Sequence, residues 1–241
     1  MTPGICQLCG ETKDLSYSHI FPEFFYQSNY DEDHRFVSVT SHPMHKPRSM
    51  QKGFREHLLC AECETQFSKY ESYAATLLRR ADAAPILNGG ITLTDVDFKT
   101  FRLFGLSLLW RLHLSRTHTF RAVDLGPHAE RIRTMLQRED PGEPHEYGFA
   151  LIKATGLDTE GEIMIGPAPG RYHGVRVYHF MARGYRWVFL VSRKPLALQD
   201  QLPSIGTNGR LFIPAVEHDK QTIYRQLRRA FPKWLGTKST D

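Results

Sequence analysis

The spacing of hydrophobic residues along the chain predicts three helices. Between residues 60 and 83, apolar side chains recur at intervals of three and four, which is typical of a helix with one buried face. In 94–117 they lie on nearly every face, which predicts a helix at the centre of a core, capped by Thr94 or Asp95. A third helix, on the surface, is predicted for 127–140.

Elsewhere the pattern alternates with period two, which predicts strands separated by turn residues. The strand-like stretches are 15–21, 36–40, 147–154, 162–166, 175–182, 185–192 and 209–216. Arg183-Gly184 separates two of these stretches and favours a hairpin turn between them. An amphipathic helix is predicted after the last strand, at 219–231.

These elements predict an α+β fold in two parts. Residues 1–84 form an N-terminal module, and residues 85–241 form a helical segment plus a domain with a mostly antiparallel sheet. The second part contains no Gly-rich phosphate loop, nucleophile elbow or dinucleotide-binding fingerprint. Its role is open between target recognition, binding of a protein partner and formation of a homo-oligomer.

Composition narrows the class of protein. With 241 residues, of which 41% are hydrophobic and 24% charged, the chain has the make-up of soluble globular proteins. Its formal net charge of +5 is compatible with a polyanionic partner such as DNA or RNA. No secretory signal is visible, and basic residues interrupt the most apolar stretch, 98–114, so we predict no membrane span and a cytoplasmic location.

The cysteines carry the clearest chemical pattern. All four lie in two Cys-x-x-Cys pairs, Cys6 with Cys9 and Cys60 with Cys63. In a reducing compartment disulfides are disfavoured, and a redox motif would leave one pair unexplained. Two short-spaced pairs match tetrahedral thiolate coordination, and Gly10 suits the tight turn of a zinc knuckle. The sequence therefore predicts a structural zinc ion held by all four cysteines.

The cysteines and the residues between them resemble a known family. A knuckle at 6–10, the run Ser-His-Ile-Phe-Pro at 18–22, a variable segment and Leu-Leu-Cys-x-x-Cys at 58–63 are similar to the HNH endonucleases of the ββα-metal type. The resemblance covers about residues 5 to 75. It implies a zinc-stapled ββα-metal module that hydrolyses phosphodiester bonds in DNA, with Mg²⁺ or Mn²⁺ on the scissile phosphate.

The resemblance also assigns roles to single residues. His19 matches the general base, and its imidazole titrates near neutrality as that role requires. Ser18 stands where Asp is common, and Glu64 stands where a His or Asn often follows the last cysteine; its carboxylate is a competent ligand for a divalent cation. The usual Asn before the second pair has no clear counterpart. Its neighbourhood holds Arg55, Glu56 and His57, and we include Glu56 and His57 among the catalytic candidates.

Helical spacing supports the same site independently. Glu64 and Glu71 are seven residues apart, so they share one face of the predicted helix. A zinc ion that joins both cysteine pairs would bring His19 close to that face. A purely structural interpretation stays open, because a histidine can serve only to hydrogen-bond the fold and acidic residues favour helix N-termini.

The segment between the pairs is basic and could contact phosphates, although a solvated loop would have the same composition. The candidate nucleic-acid contacts are Arg35, Lys46, Arg48, Lys52 and Arg55. The sequence and the resemblance leave two functions open. One is a metal-dependent HNH-like endonuclease acting on DNA; the other is a catalytically inactive zinc-finger-type module that binds nucleic acid or protein.

Overall fold

The computed structural model describes residues 2–27, 30–38, 48–156, 164–197 and 207–217. Its helices are α1 (Ala61–Ala83), α2 (Phe98–Leu114) and α3 (His128–Gln137), with short 3-10 turns at Glu23–Phe25 and His118–Phe120. Its strands are β1 (Thr2–Ile5), β2 (Thr12–His19), β3 (Phe36–Ser38), β4 (Arg48–Met50), β5 (Arg55–Cys60), β6 (Gly90–Leu93), β7 (Phe149–Thr155), β8 (Ile165–Tyr172), β9 (Val175–Ala182), β10 (Tyr185–Leu190) and β11 (Leu211–Glu217). The α+β class predicted from the sequence is therefore confirmed.

The N-terminal part is a small antiparallel sheet followed by a long helix. Its strands are ordered β1-β2-β5, and the helix α1 begins directly after β5. The connection between β1 and β2 contains Gly10 at φ +80°, a conformation that glycine adopts without strain. The predicted helix over 60–83 is confirmed as α1. β3 and β4 pair with each other in the long connection between β2 and β5.

The larger sheet has six strands in the order β6-β11-β7-β10-β9-β8. All of its pairs are antiparallel except β11 with β7, so the predicted mostly antiparallel sheet is confirmed. Arg183 and Gly184 both have positive φ, at +56° and +73°, which is the geometry of the predicted two-residue hairpin turn. The helix predicted at 219–231 lies outside the described residues. So do the first two residues of the strand predicted at 162–166, whose last two residues belong to β8.

One hydrophobic core joins residues on both sides of position 84. Phe21 and Phe25 from the N-terminal part lie 4.8 Å from Phe180 and 5.2 Å from Trp187 respectively, measured between ring centroids. α2 lies in this core and is buried over most of its length. The division into 1–84 and 85–241 stays a prediction. Among the described helices, none combines the length and the apolar character that crossing a membrane requires.

Candidate functional site

The four cysteines lie together. Cys6 and Cys9 come from the connection between β1 and β2, Cys60 ends β5, and Cys63 is in the first turn of α1. Their sulfur atoms all lie within 4.8 Å of one another, none is in a disulfide, and three of the four side chains are buried. Zn–S bonds of about 2.3 Å give tetrahedron edges of about 3.8 Å. The cluster therefore fits a metal ion such as zinc, as the sequence predicts.

Backbone groups hold the cluster in place. The Gly10 N–H donates to the Cys6 carbonyl at 2.9 Å, which closes the knuckle. The Cys60 N–H donates to the Cys6 sulfur at 3.4 Å, so the end of β5 is tied directly to the first cysteine pair. Arg133 of α3 donates to the Leu8 carbonyl at 2.7 Å. The knuckle is thus fixed from the sheet on one side and from α3 on the other.

His19 ends β2, opposite Arg55 of β5. The imidazole is 22% exposed, and its Nε2 lies 2.7 Å from Oε2 of Glu23, although the ring N–H does not point straight at that oxygen. Burial lowers the pKa of His19, the charge of Arg55 lowers it further, and Glu23 and Glu71 oppose both effects only in part. The net effect favours a neutral imidazole, which is the form that can accept a proton.

Glu23 is a site residue that the sequence analysis did not assign. Its carboxylate accepts a hydrogen bond from the Tyr30 hydroxyl at 2.6 Å and lies 3.5 Å from a guanidinium nitrogen of Arg55. Burial alone would raise the pKa of Glu23, but Tyr30, His19 and Arg55 outweigh it and leave the pKa lowered. The only signal for Glu23 in the sequence was its position, four residues after the histidine of the Ser-His-Ile-Phe-Pro run.

Glu64 lies on α1 and is half-buried, with its Oε1 removed from water. Burial raises the pKa of Glu64, and the Ser18 hydroxyl and the charge of Arg111 oppose this only in part. Oε1 of Glu64 has no hydrogen-bond partner among the described residues. Ser18 is itself 2% exposed. The structure therefore brings together Ser18 and Glu64, two of the predicted site residues.

Arg111 of α2 reaches into the same region from the second part of the chain. Its guanidinium is 1% exposed, donates to the His19 carbonyl at 2.8 Å and lies 2.7 Å from Oε1 of Glu71. The guanidinium carbon also lies 5.5 Å from the centre of the Phe67 ring. Arg111 thus links the backbone of His19 to the acidic face of α1. The sequence analysis did not identify this residue.

Glu56 and His57 are engaged elsewhere. Glu56 accepts hydrogen bonds from the Ser115 hydroxyl, from the Arg116 N–H at 3.0 Å and from the Thr117 hydroxyl at 2.9 Å. Burial would raise the pKa of Glu56, but these donors leave it lowered. His57 is exposed, and its ring centroid lies 5.0 Å from that of Tyr17. Their catalytic roles stay predictions.

The predicted nucleic-acid contacts lie in different surroundings. Arg35 is exposed and lies 3.6 Å from Asp33, Lys52 is exposed, and Arg55 is half-buried beside Glu23. Arg48 belongs to β4, where only the backbone is described, and Lys46 lies outside the described residues. Arg55 is thus the candidate that borders the His19 site.

The described part of the chain contains one group of three or more His, Cys, Asp or Glu residues with ligand atoms within 4.8 Å of one another, and that group is the four cysteines. His19, Glu64 and Glu71 do not form a second group of that kind. Buried polar atoms nevertheless lack aligned hydrogen-bond partners at this site: His19 Nε2, Arg55 Nε, Glu64 Oε1 and Arg111 Nη2. Comparisons with protein-family models, with curated proteins and with solved structures gave no significant match for this chain.

Proposed function

We propose that the chain is a metal-dependent HNH-like endonuclease that hydrolyses phosphodiester bonds in DNA. One observation carries the proposal. The antiparallel strands β2 and β5 and the helix α1 are joined at the cysteine cluster. The buried guanidinium of Arg111 contacts both the backbone of half-buried His19 and Glu71 on the acidic face of α1. An imidazole beside carboxylates is the arrangement needed to activate water against a phosphodiester.

In this proposal the four cysteines hold a structural zinc ion, and His19 acts as general base. The neutral ring takes a proton from the attacking water, while Arg111 holds the backbone of His19. Glu64 is the proposed carboxylate ligand of a catalytic Mg²⁺ or Mn²⁺, with Ser18 beside it. Such an ion would stabilise negative charge on the phosphate. The unpartnered oxygen of Glu64 is compatible with this role.

The test is cleavage of supercoiled plasmid by the purified protein with Mg²⁺ or Mn²⁺. We expect wild-type protein to nick the DNA and His19→Ala to lower the rate by about 10²-fold or more. His145→Ala is the matched control, because His145 is exposed in a loop before β7. Equal rates for wild type and His19→Ala, at equal zinc content, would contradict the proposal.

A second candidate function is a zinc-finger-type module that binds nucleic acid or protein without cutting. It is favoured by the contacts of His19, whose Nε2 faces Glu23, and by the lack of a second three-ligand group among the described residues. This candidate predicts a gel shift with DNA or RNA and no cleavage with any divalent ion. The plasmid assay therefore separates the two functions.

A further inference from the structure

We propose that Glu23 is a positioning residue that fixes the ring orientation and the tautomer of His19. The inference rests on the proposed function only for its catalytic consequence. Its basis is the 2.7 Å distance between Nε2 of His19 and Oε2 of Glu23. A bare lone pair on Nε2 would be repelled by a carboxylate oxygen at this distance, so the contact favours a proton on Nε2 even though the N–H is not aligned with that oxygen. Nδ1 is then the nitrogen with the free lone pair.

Glu23 is well placed for this because its backbone is anchored. Pro22 precedes it with φ −53°, and Glu23 begins the 3-10 turn Glu23–Phe25. Phe24 and Phe25 of that turn are buried in the core, where Phe25 packs against Trp187. The carboxylate is therefore carried by a turn that cannot rotate without removing aromatic rings from the core.

The side chain of Glu23 is anchored as well. Tyr30 donates to Oε1 at 2.6 Å, so one carboxylate oxygen is held by a neutral donor while the other faces His19. Arg55 lies 3.5 Å from the same Oε2 that faces the imidazole. Because the carboxylate is fixed on both sides, it can hold the ring of His19 in one orientation.

The arrangement has a consequence for catalysis. When water gives a proton to Nδ1, the O–H electron pair stays on the oxygen that attacks phosphorus, and the ring becomes an imidazolium with protons on both nitrogens. The P–O bond to the leaving sugar oxygen breaks, its electron pair stays on that oxygen, and the oxygen then takes up a proton. The positive charge then faces the carboxylate of Glu23, which stabilises it. A simple structural ion pair would hold the turn to β2 but would not require one tautomer.

The test combines a spectroscopic signature with kinetics. Long-range ¹⁵N–¹H NMR of the zinc-loaded full chain reports which nitrogen of His19 carries the proton, whether or not the protein cleaves DNA. We expect Nε2–H in the wild type and a mixture of both tautomers in Glu23→Gln, which keeps the size of the side chain and an acceptor for Tyr30. Glu143→Gln, at an exposed position in the loop before β7, is the control and should leave the His19 signals unchanged.

In cleavage assays we expect Glu23→Gln to lower kcat by about 10²-fold, with KM within about threefold of wild type. Nδ1–H as the major tautomer in the wild type, or an unchanged tautomer and kcat in Glu23→Gln, would overturn the inference. A wild-type protein that never cleaves DNA would refute the proposed function instead, and the NMR signature would still decide whether Glu23 fixes the ring.

Discussion

Burial governs the charge of several histidines in this chain. Desolvation is the largest cause of the lowered pKa of His19, of His128 on α3 and of His179 on β9. At His19 a neighbouring carboxylate opposes the effect, whereas at His179 the charge of Arg186 adds to it. The same physical effect therefore favours the neutral form of His19, which the proposed function requires, and makes His179 a source of instability in acid.

His179 gives a prediction for stability against pH. Burial, and then the charge of Arg186, lower its pKa from 6.5 to about 4, so the folded protein holds it neutral while the unfolded chain protonates near 6.5. Stability from this residue is fully present above pH 6.5 and is lost as the pH falls towards 4. We expect urea unfolding to show a loss of about 1–3 kcal/mol between pH 7 and pH 4.5, smaller in His179→Gln. Equal losses in both proteins would contradict the assignment.

At the scale of secondary-structure elements, a buried ion pair joins α2 to α1. Arg111 of α2 is buried and pairs with Glu71 of α1 at 2.7 Å, while also donating to His19 at the end of β2. Removing one partner of a buried ion pair leaves the other charge without compensation, and this costs more than the pair itself contributes.

We expect Arg111→Met to lower the free energy of unfolding by about 3 kcal/mol, measured by urea denaturation. The double variant Arg111→Met with Glu71→Gln should lose less than the sum of the two single variants, since no unpaired charge remains. Arg35→Met, where the exposed guanidinium pairs with exposed Asp33, is the control, with an expected loss of less than about 1 kcal/mol. Strictly additive losses at Arg111 and Glu71 would show that the ion pair is not coupled.

The same elements show what the sequence could predict. α1 was predictable because its apolar residues repeat with helical period, and the β9–β10 hairpin because Arg183-Gly184 suits its turn. Most of β8 was not, because Pro167 and Pro169 interrupt its alternation. These prolines are tolerated since β8 is an edge strand. α2 begins after Asp97, whose side chain accepts from the Thr100 N–H, rather than at Thr94 or Asp95.

At the scale of the whole molecule, the candidate site draws on distant parts of the chain. The cysteine cluster was predictable from spacing alone, because two Cys-x-x-Cys pairs supply the four thiolates of a zinc site. The contact of Arg111 with His19 spans 92 positions, so no local pattern could indicate it. Glu23 is close to His19 in the sequence, but their contact depends on the turn that directs the Glu23 carboxylate back to His19.

The cysteine cluster is the basis for both proposed functions, because it joins the end of β5 and the start of α1 to the knuckle before β2. A metal ion bound by all four sulfur atoms, which lie within 4.8 Å of one another, would add to the hydrogen bonds that already hold the knuckle. Metal binding and folding of this module should therefore be linked.

The most direct test is zinc-edge X-ray absorption on protein purified without added metal. We predict one zinc ion per chain, bound by four sulfur atoms at about 2.3 Å and by no nitrogen or oxygen. A protein that folds with well under one equivalent of zinc, or with nitrogen or oxygen among the zinc ligands, would contradict the account.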